Sequence, residues 1–177
     1  GVVSGLNEKV HPHCFLRQTE LTVPDKQIIN LVKKKSNYKL DSIDFCHQLN
    51  EAVGDSITYE SGLTSIETKA TDAILIGKGV CQDFAHILIG LARYHGYPAR
   101  YINGFSAHET NGANETHAWV EIYIKDLGWV AFDPSKKTCI DEKYVRVGCG
   151  FDFTDASMIK GVKCNFDGHE SLDKDFV

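Results

Sequence analysis

The sequence predicts an α+β fold in which N-terminal helices, one of them central and buried, pack on a C-terminal antiparallel β-sheet. Three observations support this prediction. Apolar residues recur at helical spacing in the first half of the 177-residue chain, one helix-length stretch is apolar on most of its surface, and strand-like patterns follow Pro98. Because no repeat or linker interrupts a chain of this length, we expect a single domain over residues 1–177.

The helical segment is expected over about residues 20–54. Pro24 is a favourable residue near a helix start, and DKQIINLVKKK follows it with apolar side chains on one face. The next helix, SIDFCHQLNEAVG, can be capped by Asp41 or Ser42 and ends at Gly54. A short strand in SITYES and a helix in ETKATDAILIG are predicted to follow.

The central helix is predicted to begin at or just after Cys81, in CQDFAHILIGLARYHGYP. Apolar side chains surround most of it, which is typical of a helix buried on nearly all sides. Gly96 and Pro98 end it.

The predicted sheet begins after this helix. Strands are expected in ARYINGF, HAWVEIYI and WVAFD, with KDLG joining the last two as a hairpin, and further short strands in DEKYVRVG and near FDF. Within HAWVEIYI, His117 and Trp119 share the more polar face, whereas Ala118 and Val120 share the face directed at the core.

Charge and composition exclude several classes of partner. The net charge is −5 and the longest basic run is Lys33–Lys35, so neither nucleic acid nor an anionic membrane is indicated. No apolar run is long enough to span a bilayer. The six cysteines are scattered without a CxxC pair, so we expect a reducing, cytoplasmic setting rather than a disulfide scaffold. The chain begins with Gly1 rather than Met, which leaves open a removed leader.

Cys81 is the first candidate functional residue. At a helix start, backbone N–H groups lack intrahelical partners, and together with the helix dipole they favour a thiolate. The same groups can hold the oxyanion of a tetrahedral intermediate. Taken alone, however, such a cysteine is more commonly a structural core thiol.

A histidine and a carboxylate are expected to meet near the ends of two strands. His86 lies about 140° around the helix from Cys81, so it cannot face that thiol. His117 opens a strand after a polar loop and Asp133 ends the next strand, so the hairpin brings the two strand ends together. The sequence does not set the exact register, and a bulge could be needed to align the two side chains. Asp133 has a simpler explanation as a turn former before Pro134. Cysteine, histidine and carboxylate match the nucleophile, base and orienting group of acyl transfer.

At these residues the sequence resembles a known family. The segments GVCQDFAH, HAWVEIYI and GWVAFDPS resemble the bacterial transglutaminase-like cysteine proteases, within the papain-like superfamily. ITYESGLTSIETKATDAI and GFDFTDASMIKG extend the resemblance over about residues 56–161. It implies a papain-like, transglutaminase-core fold, with Cys81 as nucleophile, His117 as general base and acid, and Asp133 as the carboxylate that orients the histidine.

Two departures from the family pattern accompany this resemblance. Family members often carry a β-rich domain before the core, whereas the preceding residues here are few and helical. No proline follows the Asp-x-Asp segment, where Ser157 stands instead.

The resemblance implies a cysteine-dependent enzyme that forms a thioester from peptide or carboxamide bonds of a protein or peptide substrate, without a cofactor. Hydrolysis, as in a protease or amidase, is favoured because bacterial members are mostly described as proteases. The alternatives are a protein-glutamine γ-glutamyltransferase and a non-catalytic protein-binding module, although all three site residues are present. A metal-dependent hydrolase is disfavoured, since His11 and His13 have no further ligand at suitable spacing and no metal site is predicted.

Two further residues are candidates for the substrate cleft. Gln82 could donate to an oxyanion, although a packing role is as common. Trp119 could form a wall of the cleft, although aromatic side chains on strands are more often simply packed. Asp83, in the first helical turn, is expected to be structural, and Asp152 and Asp155 to form caps or turns.

Overall fold

The computed structural model of the chain describes residues 1–5, 8–33, 42–107 and 116–157. Five α-helices and seven strands lie in these residues, after a 3-10 helix at Pro12–Leu16. The helices are α1 (Lys26–Lys33), α2 (Ser42–Gly54), α3 (Ala70–Ile76), α4 (Cys81–Tyr94) and α5 (Phe153–Ala156). The strands are β1 (Thr58–Tyr59), β2 (Lys78–Gly79), β3 (Ala99–Ser106), β4 (Thr116–Ile124), β5 (Gly128–Asp133), β6 (Thr138–Cys139) and β7 (Tyr144–Gly150).

Five of the strands form one antiparallel sheet in the order β6–β5–β4–β3–β7. Strands β3 to β6 lie side by side in the order in which they occur in the chain. After β6, the chain crosses to the opposite edge of the sheet, where β7 pairs with β3. β1 and β2 form a separate parallel pair. The predicted α+β class, with helices preceding an antiparallel sheet, is confirmed.

The central helix α4 lies between the sheet and the other helices. It packs on β3 and β4, and α1, α2 and α3 pack around it. Val120 and Ile122 of β4 belong to the same hydrophobic core, so the predicted core face of this strand is confirmed. Gly90 allows a close approach, because a Cβ there would lie 1.9 Å from the carbonyl oxygen of Thr22.

The opposite face of the sheet is also covered. Trp119 and Glu121, on the face that the sequence marks as more polar, are only 2% and 1% exposed. Nε of Arg100 donates to Oε2 of Glu121 at 2.7 Å, and the Arg100 guanidinium lies 3.9 Å from the centre of the Trp129 ring. Phe15 of the 3-10 helix contacts the same indole edge-on. The charged residues Arg100 and Glu121 of this face therefore pair with each other, and N-terminal residues such as Phe15 cover the face. The alternation of polar and apolar residues along β4 does not reveal this cover.

Some elements differ from the sequence-based expectation. The strand expected in SITYES is limited to the two residues of β1. The strand expected near FDF is wrong: Asp152 accepts the N–H of Asp155 at 3.2 Å and caps the short helix α5. The predicted helix of ETKATDAILIG is confirmed as α3, and Gly77 ends it with a left-handed φ of 72°.

Parts of other expectations lie outside the described residues, including Lys34–Lys35 of the first predicted helix, Asp41, and the end of the family-like segment from residue 158. Within the described ranges, every helix is too short or too polar to cross a bilayer.

Candidate active site

Cys81 is the first residue of α4, and the local structure fixes where this helix begins. Oδ2 of Asp83 accepts the backbone N–H of Val80 at 2.8 Å and the hydroxyl of Thr64 at 2.7 Å. A Cβ on Gly79 would lie 2.7 Å from the same oxygen, so only glycine permits this approach. Burial raises the pKa of Asp83, and these hydrogen bonds oppose the rise. Asp83 therefore has the structural role expected from its position, and it holds the helix start that carries a partly exposed Cys81.

The hairpin brings His117 and Asp133 together. Nε2 of His117 lies 2.7 Å from Oδ2 of Asp133, and both side chains are buried. The β4–β5 register runs without a bulge to the pair Val120 and Phe132. If this register is continued by one residue, Asp133 lies opposite Trp119. His117, two residues before Trp119, therefore contacts Asp133 diagonally across the two strands. No irregularity is needed to align the two groups.

Two further side chains bind Asp133, and neither is among the residues singled out from the sequence. Ser135 donates to Oδ1 through its hydroxyl at 2.6 Å and its backbone N–H at 3.0 Å. The hydroxyl of Tyr144 donates to Oδ2 at 2.9 Å. The Asp-Pro-Ser turn is a signal that could have identified Ser135. Tyr144 reaches the site only because β7 crosses the sheet, so no local pattern marks it.

The Cys81 side chain also interacts with His117 and favours the protonated imidazole. Burial by itself lowers the pKa of His117. The hydrogen bond to Asp133, the interaction with Cys81 and the negative charges of both outweigh it and raise the pKa to about 9. These partners thus favour the imidazolium form of His117.

The pKa of Asp133 moves in the opposite direction. Burial raises it, but the hydrogen bond and positive charge of His117, with the hydroxyls of Ser135 and Tyr144, together lower it below its usual value. The carboxylate is therefore ionised throughout the neutral range.

The two cleft candidates have specific neighbours. The Trp119 ring lies 6.4 Å from the His117 ring and 5.5 Å from the Tyr144 ring, centroid to centroid. The buried Trp119 ring is stacked beside the imidazole. Nε2 of Gln82 donates to the carbonyl of Ser65 at 3.3 Å, and the side chain is 9% exposed. Roles of Trp119 and Gln82 toward a substrate stay predictions.

Other candidate groups lie apart from this site. His86 is fully buried, burial lowers its pKa to about 4, and its Nε2 accepts the N–H of Phe153 at 3.2 Å. Burial raises the pKa of Cys46 to about 12, so that thiol is inert. Among the residues that the structure describes, no three His, Cys, Asp or Glu side chains form a cluster suited to a metal ion.

Comparison with known proteins agrees with the geometry. The model of the Transglutaminase-like superfamily matches residues 28–134, a range that contains Cys81, His117 and Asp133. A solved structure from Cytophaga hutchinsonii, described as a "Putative Cysteine Protease", is 28% identical with a TM-score of 0.69, covering 81% of this chain and 48% of the other. The periplasmic domain of TgpA from Pseudomonas aeruginosa shares the fold at 20% identity and a TM-score of 0.55, covering 73% of this chain and 49% of the other. These likenesses confirm the expected fold and family.

Two curated relatives add sequence similarity. An uncharacterized protein of Mycobacterium leprae is 32% identical over 127 residues, which cover 68% of this chain and 44% of the relative. A protein-glutamine gamma-glutamyltransferase of Pseudomonas aeruginosa is 32% identical over 65 residues, covering 32% of this chain and 10% of the relative. The chain spans less than half the length of these curated relatives.

Proposed function

Because the chain belongs to the transglutaminase-like superfamily, we propose that it is an enzyme that cleaves peptide or carboxamide bonds through a thioester on Cys81. One observation carries this proposal: Nε2 of His117 lies 2.7 Å from Oδ2 of Asp133, and the Asp133 and Cys81 side chains together raise the pKa of His117 to about 9. A side chain held in this way can stabilise a thiolate and then supply a proton to a leaving group. The proposed substrate is a protein or peptide, and the proposed outcome is hydrolysis.

In the first step, the Cys81 thiolate attacks the carbonyl carbon and forms a carbon–sulfur bond. The negative charge moves to the carbonyl oxygen, where the backbone N–H at the start of α4 can donate to it. His117 then transfers its proton to the nitrogen as the carbon–nitrogen bond breaks. The amine leaves, and a thioester with a neutral imidazole remains. General acid catalysis of this kind contributes about 10²–10⁴-fold to a rate.

In the second step, the neutral His117 takes a proton from water as the water oxygen attacks the thioester. The carbon–sulfur bond breaks, the carboxylic acid is released, and the thiolate and imidazolium are restored. Throughout both steps, Asp133 stays ionised and holds the imidazole in one orientation through Nε2.

Transfer to an amine is the second candidate function. It is favoured by the similarity to the gamma-glutamyltransferase of Pseudomonas aeruginosa over 65 residues. The first step is the same, with a glutamine carboxamide as substrate, and an amine nitrogen replaces water in the second. Hydrolysis stays the preferred proposal because water needs no second binding site.

The outcomes separate in one experiment. The protein is incubated with a glutamine-containing peptide library, with and without a primary amine, and products are identified by mass spectrometry. Cleavage or deamidation supports hydrolysis, whereas amine incorporation supports transfer. Cys81→Ala should abolish every product, and Cys149→Ala, which removes an exposed thiol, should abolish none. Products that persist in Cys81→Ala would contradict the proposed nucleophile, and no product from a broad library would favour a non-catalytic binding module.

Thiol reactivity tests the same site without a substrate. A thiol with the ordinary pKa of about 8.5 is less than about 1% ionised at pH 6. Limited alkylation by iodoacetamide at pH 6 should therefore modify Cys81 at least about tenfold faster than Cys14 and Cys149, although both of these are more exposed. If modification follows exposure instead, the proposed thiolate–imidazolium pair is wrong. The cytoplasmic location expected from the scattered cysteines stays a prediction.

A further inference from the structure

Tyr144 lies against the proposed site without taking part in the steps described above. It is the first residue of β7 and pairs with Ser106 of β3 at the edge of the sheet. Its ring is 5.8 Å from the His117 ring and 5.5 Å from the Trp119 ring, centroid to centroid. Its hydroxyl donates at 2.9 Å to Oδ2 of Asp133, the same oxygen that His117 binds at 2.7 Å.

The carboxylate of Asp133 is fully buried, so its orientation depends on its donors. Ser135 binds Oδ1 through its hydroxyl and backbone N–H, and the backbone N–H of Lys136 donates to the same oxygen at 3.3 Å. These donors fix Oδ1, but they do not fix the direction of Oδ2. Tyr144 approaches Oδ2 from the far edge of the sheet. Because both oxygens are then held, Oδ2 directs its lone pair at Nε2 of His117 in a single fixed orientation.

We propose that Tyr144 is a positioning residue that keeps Asp133 aligned with His117 in both protonation states of the imidazole. This inference rests on the proposed function. Once His117 has given its proton to the leaving amine, Asp133 is a buried anion without a counter-charge, and such a group is costly unless hydrogen-bonded. The Tyr144 hydroxyl supplies a bond that does not depend on that proton.

The hydroxyl keeps its own proton over the working pH range. Burial raises the pKa of Tyr144, and the negative charge of Asp133 raises it further. Tyr144 therefore donates to Asp133 at every pH at which His117 titrates.

The test uses Tyr144→Phe, which keeps the ring and removes the hydroxyl. We expect kcat to fall about tenfold, as for loss of a hydrogen bond to a charged group, with KM changed less than about twofold. Without this donor Asp133 attracts the imidazolium proton more strongly, so the pKa of His117, followed by NMR of its Cε1–H group, should rise by several tenths of a unit.

Tyr123→Phe is a matched control. The Tyr123 ring contacts Trp129 edge-on at 5.5 Å between centroids, the same geometry as that of Tyr144 with Trp119. Tyr123, however, lies at the end of β4 opposite to His117. It should leave kcat and the His117 titration unchanged. The melting temperatures of the two Tyr-to-Phe variants should agree within a few degrees, since both keep the ring.

A double-mutant cycle separates positioning from general stabilisation. In an Asp133→Asn background, Tyr144→Phe should cost less than about twofold in kcat, because the group through which Tyr144 acts is gone. A full tenfold cost in that background, or an unchanged kcat and His117 pKa in the single variant, would overturn the inference. Failure of the proposed function would give a different result: in the wild-type protein, Cys81 would not be alkylated faster than the exposed thiols. The NMR titration needs no substrate and reads the Tyr144 contact in either case.

Discussion

Asparagine at position 133 would test the electrostatics of the site with almost no change of shape. The groups that bind the Asp133 carboxylate, from His117, Ser135 and Tyr144 and from the backbone N–H of Lys136, all donate to its two oxygens. An asparagine side chain offers one acceptor oxygen and one donor NH₂ group. The NH₂ group must therefore face a donor, and the negative charge beside His117 is lost.

The size of the effect follows from the pKa of His117. Its environment raises that pKa from 6.5 to about 9, which corresponds to about 3 kcal/mol in favour of the imidazolium. Burial acts against the imidazolium, and Asp133 supplies the first of the interactions that overcome burial. With that charge removed, we expect the pKa of His117 to return to 6.5 or below, so the imidazole is mostly neutral at pH 7. The turnover number should fall by about 10³–10⁴-fold, since the tautomer and orientation of the base are no longer imposed.

Two measurements check this prediction. NMR of the Cε1–H group of His117 gives its pKa in the wild-type protein and in Asp133→Asn, and steady-state kinetics gives kcat on whichever peptide the library identifies. Asp25→Asn is the matched control. Oδ1 of Asp25 accepts the N–H groups of Gln27 and Ile28 at the start of α1, a position where asparagine serves equally well. It should change neither quantity.

The reasoning would be refuted if His117 in Asp133→Asn still titrated near pH 9, or if kcat fell less than about tenfold. Either result would mean that another group orients the imidazole.

Three further predictions concern stability. Gly79→Ala should destabilise the protein by about 1–3 kcal/mol in urea unfolding, because the new Cβ would lie 2.8 Å from Cβ of Asp83; an unchanged midpoint would contradict the close approach. Arg100→Met should cost about 1–3 kcal/mol by the same measurement, since buried Glu121 loses its 2.7 Å partner and keeps only Arg146, whose Nε lies 3.2 Å from Oε1, and the double variant with Glu121→Met should recover part of this loss. The raised pKa of His117 means that its protonation stabilises the fold fully below pH 6.5, and that this contribution disappears as the pH rises through about 9. The unfolding free energy of the wild-type protein relative to His117→Gln should therefore decrease over this window, by at most about 3 kcal/mol, and a flat difference would argue against the shift.

Much of the fold could be predicted from local sequence. Helices α2, α3 and α4 follow from apolar spacing and from the glycines that end them, and the β4–β5 hairpin follows from alternation on both sides of KDLG. These features are local because helical and strand periodicity are set by a few neighbouring residues. The strand expected near FDF does not form, because Asp152 caps a helix there by accepting the N–H of Asp155, and alternating aromatic residues do not reveal that cap.

The site was predictable in part. Cys81 at a helix start, His117 at a strand start and Asp133 before a proline each carry a local signal, and the resemblance to transglutaminase-like proteases joins them in one order. Their catalytic roles, and the extent of a single domain over residues 1–177, stay predictions. Ser135 could have been identified from the sequence because it lies in the same turn as Asp133. Tyr144 could not, because it lies far from the other site residues in the turn and reaches Asp133 only through the position of β7 in the sheet.

The sequence by itself therefore determined the types of most elements, the core face of β4 and the three residues of the proposed site. The tertiary structure alone decided that β7 crosses to the far edge of the sheet, that the face bearing Glu121 is covered, and that Tyr144 shares an oxygen of Asp133 with His117. The physical reason is the range of the interactions. Propensity and periodicity act between close neighbours in the chain, whereas strand order and the burial of paired charges depend on contacts between residues far apart in sequence.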